Sequence, residues 1–309
     1  MARRPVRTLG DVALVFSVWL TALIVCGSFA WILGDLITRG KPELSWEFIS
    51  GSPADAGRAG GILPILVSTA AILFVCLSVC VPVSIAAAAC LSDLAIENSL
   101  FARTVRRCLD VLAGVPSIVF GLFGSAFFCQ FLGLGFSIWA GGLTLACMVL
   151  PILVRATEEG FRSIGDEHRV GAAALGLSPA TVLFRVTLPL AAPSLVVGLV
   201  LGIGRALAET AALVFTSGYV DRMPTSLGDS GRALSIHIFE LSMNVPGGDR
   251  RAAASAVVLI GAVLGMNLLA SRMTKVWLRA SAVGSSWDWW ERLFGRRTNG
   301  TEKWKTRSI

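Results

Sequence analysis

Two charged residues one helical turn apart, Arg205 and Glu209, stand in an otherwise apolar run from about Leu190 to Thr216. A charge at the centre of a bilayer costs about 2.5 to 3.5 kcal/mol on the insertion scale, so both should face water or the protein interior, with partners. A guanidinium matches a tetrahedral oxyanion through paired hydrogen bonds. Read as one helix, Gly198, Gly202, Arg205, Glu209, Ala212 and Thr216 follow alternating spacings of four and three, which makes one small, polar face. Two roles are open. Glu209 can neutralise Arg205 in a structural ion pair, or Arg205, Glu209 and Thr210 can line a path for an anion.

Other chemistries find little support. The two histidines, His168 and His237, are expected in loops on opposite sides of the membrane, where they cannot share a site. No G-x-x-x-x-G-K-[ST] occurs, and the Gly40-Lys41 pair is followed by Pro42, so the chain carries no nucleotide-binding loop of that type. Active transport would draw its energy from a partner. The seven cysteines include no C-x-x-C and read as small apolar packing residues. No catalytic residue, metal or cofactor is assigned.

The elements that must position these residues are membrane helices. The chain is 54% hydrophobic and 15% charged, against about 25% charged in a typical soluble domain. Uncharged stretches run from Val12 to Leu33, Gly60 to Leu91, Val111 to Val154 and Ala252 to Ser271, and about 20 apolar residues suffice for a helical crossing. The third has room for two crossings, with Gly133-Leu134-Gly135 as the turn between them. With the Leu190 run this predicts an all-α polytopic protein with six transmembrane helices. Arg3, Arg4 and Arg7 precede the first run, whose apolar part exceeds the roughly 7 to 15 residues of a secretory signal, so it is read as a retained helix.

The formal charge of +7 does not imply nucleic acid, because in a membrane protein the placement of Lys and Arg carries the information. Arg103, Arg106 and Arg107, then Arg155, Arg162, Arg169 and Arg185, share one side with both termini. The positive-inside rule puts that side in the cytoplasm. The predicted layout is a cytoplasmic N-terminus over 1–11, a membrane domain over 12–275, and a basic, Trp-rich cytoplasmic tail over 276–309 that lies on membrane lipid. Within the domain, a cytoplasmic loop spans about 158–189. Its Ala-rich centre, Gly176 and Ser178-Pro179 predict two short helices at an angle. An external loop spans about 218–250, where Leu234, Ile238 and Leu241 at helical spacing predict a short surface helix.

The cytoplasmic loop reads Arg169-Val170-Gly171-Ala172-Ala173-Ala174-Leu175-Gly176, and ten residues further comes Val186-Thr187-Leu188-Pro189. This resembles the EAA loop of bacterial ABC importer permeases, which in that family lies in a groove of the ATPase subunit. The resemblance implies ATPase coupling through Gly171, Ala172, Gly176, Leu188 and Pro189. The family's glutamate falls on Val170 and its first alanine on Gly171, with Glu167 nearby as a substitute carboxylate. Leu112-Ala113-Gly114-Val115-Pro116-Ser117, Thr157-Glu158-Glu159, Gly204-Arg205-Ala206-Leu207-Ala208-Glu209-Thr210-Ala211, and Leu234-Ser235-Ile236-His237-Ile238 with Val245-Pro246-Gly247-Gly248 resemble phosphate permeases of the PstA type, over roughly residues 60 to 270. That implies a type I ABC importer permease of the bacterial inner membrane. Its implied partners are PstB-like ATPase subunits, a PstC-like second permease and a PstS-like periplasmic phosphate-binding protein. The competing expectations are another anion such as sulfate or molybdate, and a secondary transporter or channel, which would leave the EAA-like loop unexplained.

Overall fold

Glycine and alanine let the central helices approach closely. The computed structural model describes residues 9–94 and 99–284. Its helices are α1 (Leu9–Gly40), α2 (Trp46–Ser50), α3 (Leu63–Ala89), α4 (Leu100–Gly114), α5 (Ser117–Gly124), α6 (Ile138–Arg162), α7 (Asp166–Ala174), α8 (Pro179–Val182), α9 (Leu188–Leu207), α10 (Ala211–Val214), α11 (Leu234–Met243) and α12 (Asp249–Gly284). Strands β1 (Pro53–Ala54) and β2 (Ala59–Gly60) pair antiparallel in a small hairpin.

Helix α6 is the centre of the molecule. It packs on α3 through a core that includes Ile72, Val75, Cys76, Cys80, Leu145, Met148 and Val149. A Cβ at Gly142 would lie 2.5 Å from Val75 Cγ1, so α3 and α6 meet at van der Waals distance only with glycine there. On the other side, Gly198 and Gly202 of α9 press on Ala156 and Val149 of α6. Small residues at such seams are what membrane helices use in place of a hydrophobic driving force. Buried hydroxyls bond back to their own helix: Thr144 Oγ1 donates to Ala140 O and Thr157 Oγ1 to Leu153 O, each at 2.7 Å.

Five helices of the described residues are long and apolar enough to cross a membrane, and a sixth apolar segment is a helix pair bent at a short break. The expected third helix is not straight: Leu100–Gly114 meets Ser117–Phe131 at 101°. The residue before a proline is pushed out of the helical region, and Val115, before Pro116, is extended at φ −71°, ψ 131°. α4 carries Arg103, Arg106, Arg107 and Asp110 and suits the membrane surface. α5 and the π-helical turn after it rise at most about 22 Å, short of the roughly 30 Å hydrocarbon core. The expected turn is present: Gly133 and Gly135 have φ of 68° and 59°.

Helix α1 is exposed along most of its length and rests on α12 alone among the long helices. At its C-terminal end Gly40 abuts the backbone of Ala253. Close by, Arg251 pairs with Glu43 at 2.8 Å, donates to Gly60 O at 2.7 Å and stacks over Phe48. The Trp-rich tail lies, from residue 285 onward, outside the described residues.

Candidate functional site

The helix bearing Arg205 stops at Leu207 and resumes as the short α10 at Ala211, so the continuous face drawn from Gly198 to Thr216 does not exist. The break is held by groups from elsewhere. Ser235 Oγ of α11 donates to Glu209 O at 2.5 Å, and Glu209 Oε1 accepts from Ala212 N at 3.1 Å, as a cap on α10. Glu209 is buried. Arg205 is exposed and makes no ion pair or hydrogen bond with the described residues. The two are therefore not partners. Glu209 shapes the backbone, and Arg205 makes no ion pair with it among the described residues. Thr210, half-buried, is the first residue of the restarted turn.

The cytoplasmic loop departs from two separate short helices. α6 continues to Arg162, so Glu158 is inside a helix rather than at the start of a loop. α7 ends at a left-handed Gly176, φ +67°, with Leu177 N donating to Ala172 O at 3.2 Å. That is a helix stop that needs glycine. Ser178 then caps α8, which runs through a π-helical turn straight into α9, with Pro189 in its first turn. Ala172 is buried, whereas Gly171 and Gly176 have open space around them. Leu188 packs beside Ala88, Ala89, Phe161 and Ala191, which anchors the loop to the C-terminal ends of α3 and α6. Val170, Leu175 and Phe184 are 66%, 78% and 62% exposed. Exposed apolar side chains on a loop are candidates for contact with a partner. Val170, which stands where the family has glutamate, is one of them, and Glu167 is exposed one turn before.

A third constellation has no counterpart in the sequence reading. Glu158, buried at the end of α6, accepts from Arg106 Nε of α4 at 2.7 Å and pairs with Arg162 at 3.2 Å. Arg106 Nη2 also donates to Leu91 O at 2.9 Å, and Arg155 pairs with Asp110. The signal was there: Arg162 lies one turn beyond Glu158, and Arg106 sits in the basic stretch ahead of Pro116. Only the elbow brings them together.

On the opposite face, α11 is a helix as expected but not a surface one: Leu234, Ser235, Ile236, His237 and Leu241 are buried. Leu234 N donates to Thr69 Oγ1 at 2.9 Å. His237 Nδ1 has no hydrogen-bond partner among the described residues, and Gly57, at φ +89°, leaves room for its ring. Burial, reinforced by Arg232, pushes the imidazole down to about 4. Nearby, Asp229 accepts from the N–H and hydroxyl groups of Thr225 and Ser226, which lower its carboxyl to about 2.

A bent helix pair, a short loop helix exposing apolar side chains and closely packed small residues describe a multi-helix membrane protein. A chain of a bacterial ABC transporter involved in the import of the acidic polysaccharide alginate superposes with a TM-score of 0.58 at 14% identity, covering 83% of this chain and 95% of that one. Residues 80–279 match the binding-protein-dependent transport system inner membrane components, and the chain belongs to that family. It is 30% identical over 266 residues to a probable ABC transporter permease protein of Bacillus subtilis, across 81% of this chain and 90% of that one. It is 31% identical over 259 residues to the phosphate transport system permease protein PstA of Mycobacterium leprae, across 82% and 84%.

Proposed function

We propose that this chain is one of two permease subunits of an ATP-driven importer of inorganic phosphate, with both termini in the cytoplasm. Its partners in this reading are a PstC-like permease, PstB-like ATPase subunits that dock on α7, and a PstS-like periplasmic phosphate-binding protein. The observation that carries the reading is Arg205: an exposed, unpaired guanidinium at a helix break whose neighbouring carboxylate is engaged elsewhere. In a membrane such a charge needs an anion or water, and a tetrahedral oxyanion suits its planar fork. Phosphate rather than another oxyanion is supported by the name and the extent of the M. leprae relative. The α7 surface, with Gly176 as its stop, is the ATPase contact; exposed Gly171 lets a groove wall approach, and buried Ala172 seats α7 on its own chain.

The test is uptake of radiolabelled phosphate in cells lacking other phosphate transporters, supplied with this chain and its genomic neighbours. Uptake should be competed by unlabelled phosphate and untouched by equal sulfate or molybdate. Competition by sulfate or molybdate alone would reassign the cargo and leave the family standing.

A further inference from the structure

Glu158 is buried at the C-terminal end of α6, remote in sequence from the α9–α10 break, and holds two arginines. Its position links three things already described. α7 follows α6 after a tight turn in which Ser163 N donates to Glu159 O and Ile164 N to Phe161 O, so α7 cannot swing without pulling the end of α6. Glu158 binds Arg106 of α4 across 52 residues of sequence, and Arg106 also grips Leu91 O at the end of α3. α4 turns by 101° into α5 across only Val115 and Pro116. α5 in turn touches α10 with no side chain between: a Cβ at Gly121 would lie 2.8 Å from Ala212 Cα. Ala212 is the residue whose N–H is capped by Glu209. Beside the elbow lies an open groove of about 400 Å³ lined by apolar residues including Val115, Val119, Phe123 and Leu150.

From this chain of contacts we infer that Arg106, Glu158 and Arg162 form a permanent strut. It carries movement of α7 through the α4–α5 elbow to the broken segment at Glu209–Thr210, and Glu158 is a positioning residue for energy coupling. The inference rests on the reading that α7 docks an ATPase. In this inference the strut stays closed through the cycle, because parting Arg106 from Glu158 would leave a buried carboxylate without its 2.7 Å partner, which is strongly destabilising. It therefore transmits displacement rather than switching.

The experiment uses the assembled transporter, with its ATPase and second permease, in proteoliposomes, and measures ATP hydrolysis and phosphate uptake separately. In Glu158→Gln, phosphate moved per ATP should fall about tenfold, while hydrolysis stays within about twofold and subunit stoichiometry is unchanged. Arg106→Lys keeps a charge against Glu158 and should retain about half of the normal ratio. A Glu158→Gln complex with the normal ratio overturns the inference. So does one in which hydrolysis and uptake fall together as subunits dissociate, which is the mark of a group that only holds the fold. Failure of the ATPase to associate with the unmodified chain would instead contradict the docking reading.

Discussion

At the C-terminal end of α6, Glu158 and Arg106 are bound at 2.7 Å with Arg162 beside them; at the α9–α10 break, Arg205 has an acidic neighbour in sequence and does not pair with it. The first set consumes its charges internally and ties three helices. The second leaves a cation open and spends its carboxylate on the backbone. Both sets come from a carboxylate and an arginine four residues apart in a helical run, Glu158 with Arg162 and Arg205 with Glu209. What separates them is whether the helix continues. An unbroken α6 keeps Glu158 and Arg162 on one face, whereas the stop at Leu207 turns Glu209 back onto Ala212. Charges of the first kind should matter for stability as well as for coupling, and a charge of the second kind for transport alone.

The sharpest way to break that contrast is to truncate an arginine of each kind and measure stability. Arg106→Ala leaves a buried carboxylate with one partner and should cost on the order of 2 kcal/mol, read as a lower melting temperature of the purified chain. Arg205→Ala removes an exposed, unpaired group and should stay within about 0.5 kcal/mol. Equal losses would erase the distinction. At the docking surface, Gly176→Val forces a β-branched residue into φ +67°, a local strain of about 1 to 3 kcal/mol. Because open space surrounds Gly176, the chain should still insert, and co-purification of the ATPase should drop several-fold. Undiminished co-purification would remove α7 from the contact.

A smaller effect is expected outside. His237 is held neutral, its pKa lowered from 6.5 to about 4. The folded state therefore resists a proton that the unfolded state accepts below 6.5. Stability of the external segment is full above that pH and falls as the pH drops toward 4, by on the order of 1 to 2 kcal/mol at pH 5. Proteolysis within 218–250 should accelerate at pH 5 relative to pH 7, and His237→Gln should flatten the response. An unchanged pH dependence in that variant would assign it to other groups.

Much of the architecture was legible because it is written locally. Uncharged runs mark crossings, Gly133 and Gly135 mark a turn, and Gly176 marks a helix stop. The elbow was legible too, since Pro116 forces Val115 out of the helix, but the apolarity of the 111–154 run masks it. The break after Leu207 was not. No glycine or proline stands between Ala206 and Ala211, and the interruption depends on Ser235 reaching Glu209 O from 26 residues away. The burial of α11 was hidden for a similar reason: its partners are Thr69 and Gly57, far upstream. Arg106 and Glu158 meet only because α4 folds back at the elbow. Contacts made across the chain, not residue types, decide which charges are spent and which stay open.

That difference is tested most directly by phosphate uptake through Arg205→Ala and Arg205→Lys at matched levels in the membrane. Loss of an exposed guanidinium that meets the anion should lower uptake about a hundredfold in the alanine variant. Lysine, which keeps the charge and loses the fork, should fall between the two. Both variants should assemble normally with the ATPase. Near-normal uptake by Arg205→Ala would contradict the account, because the one open cation identified at the break would then have no part in moving the substrate.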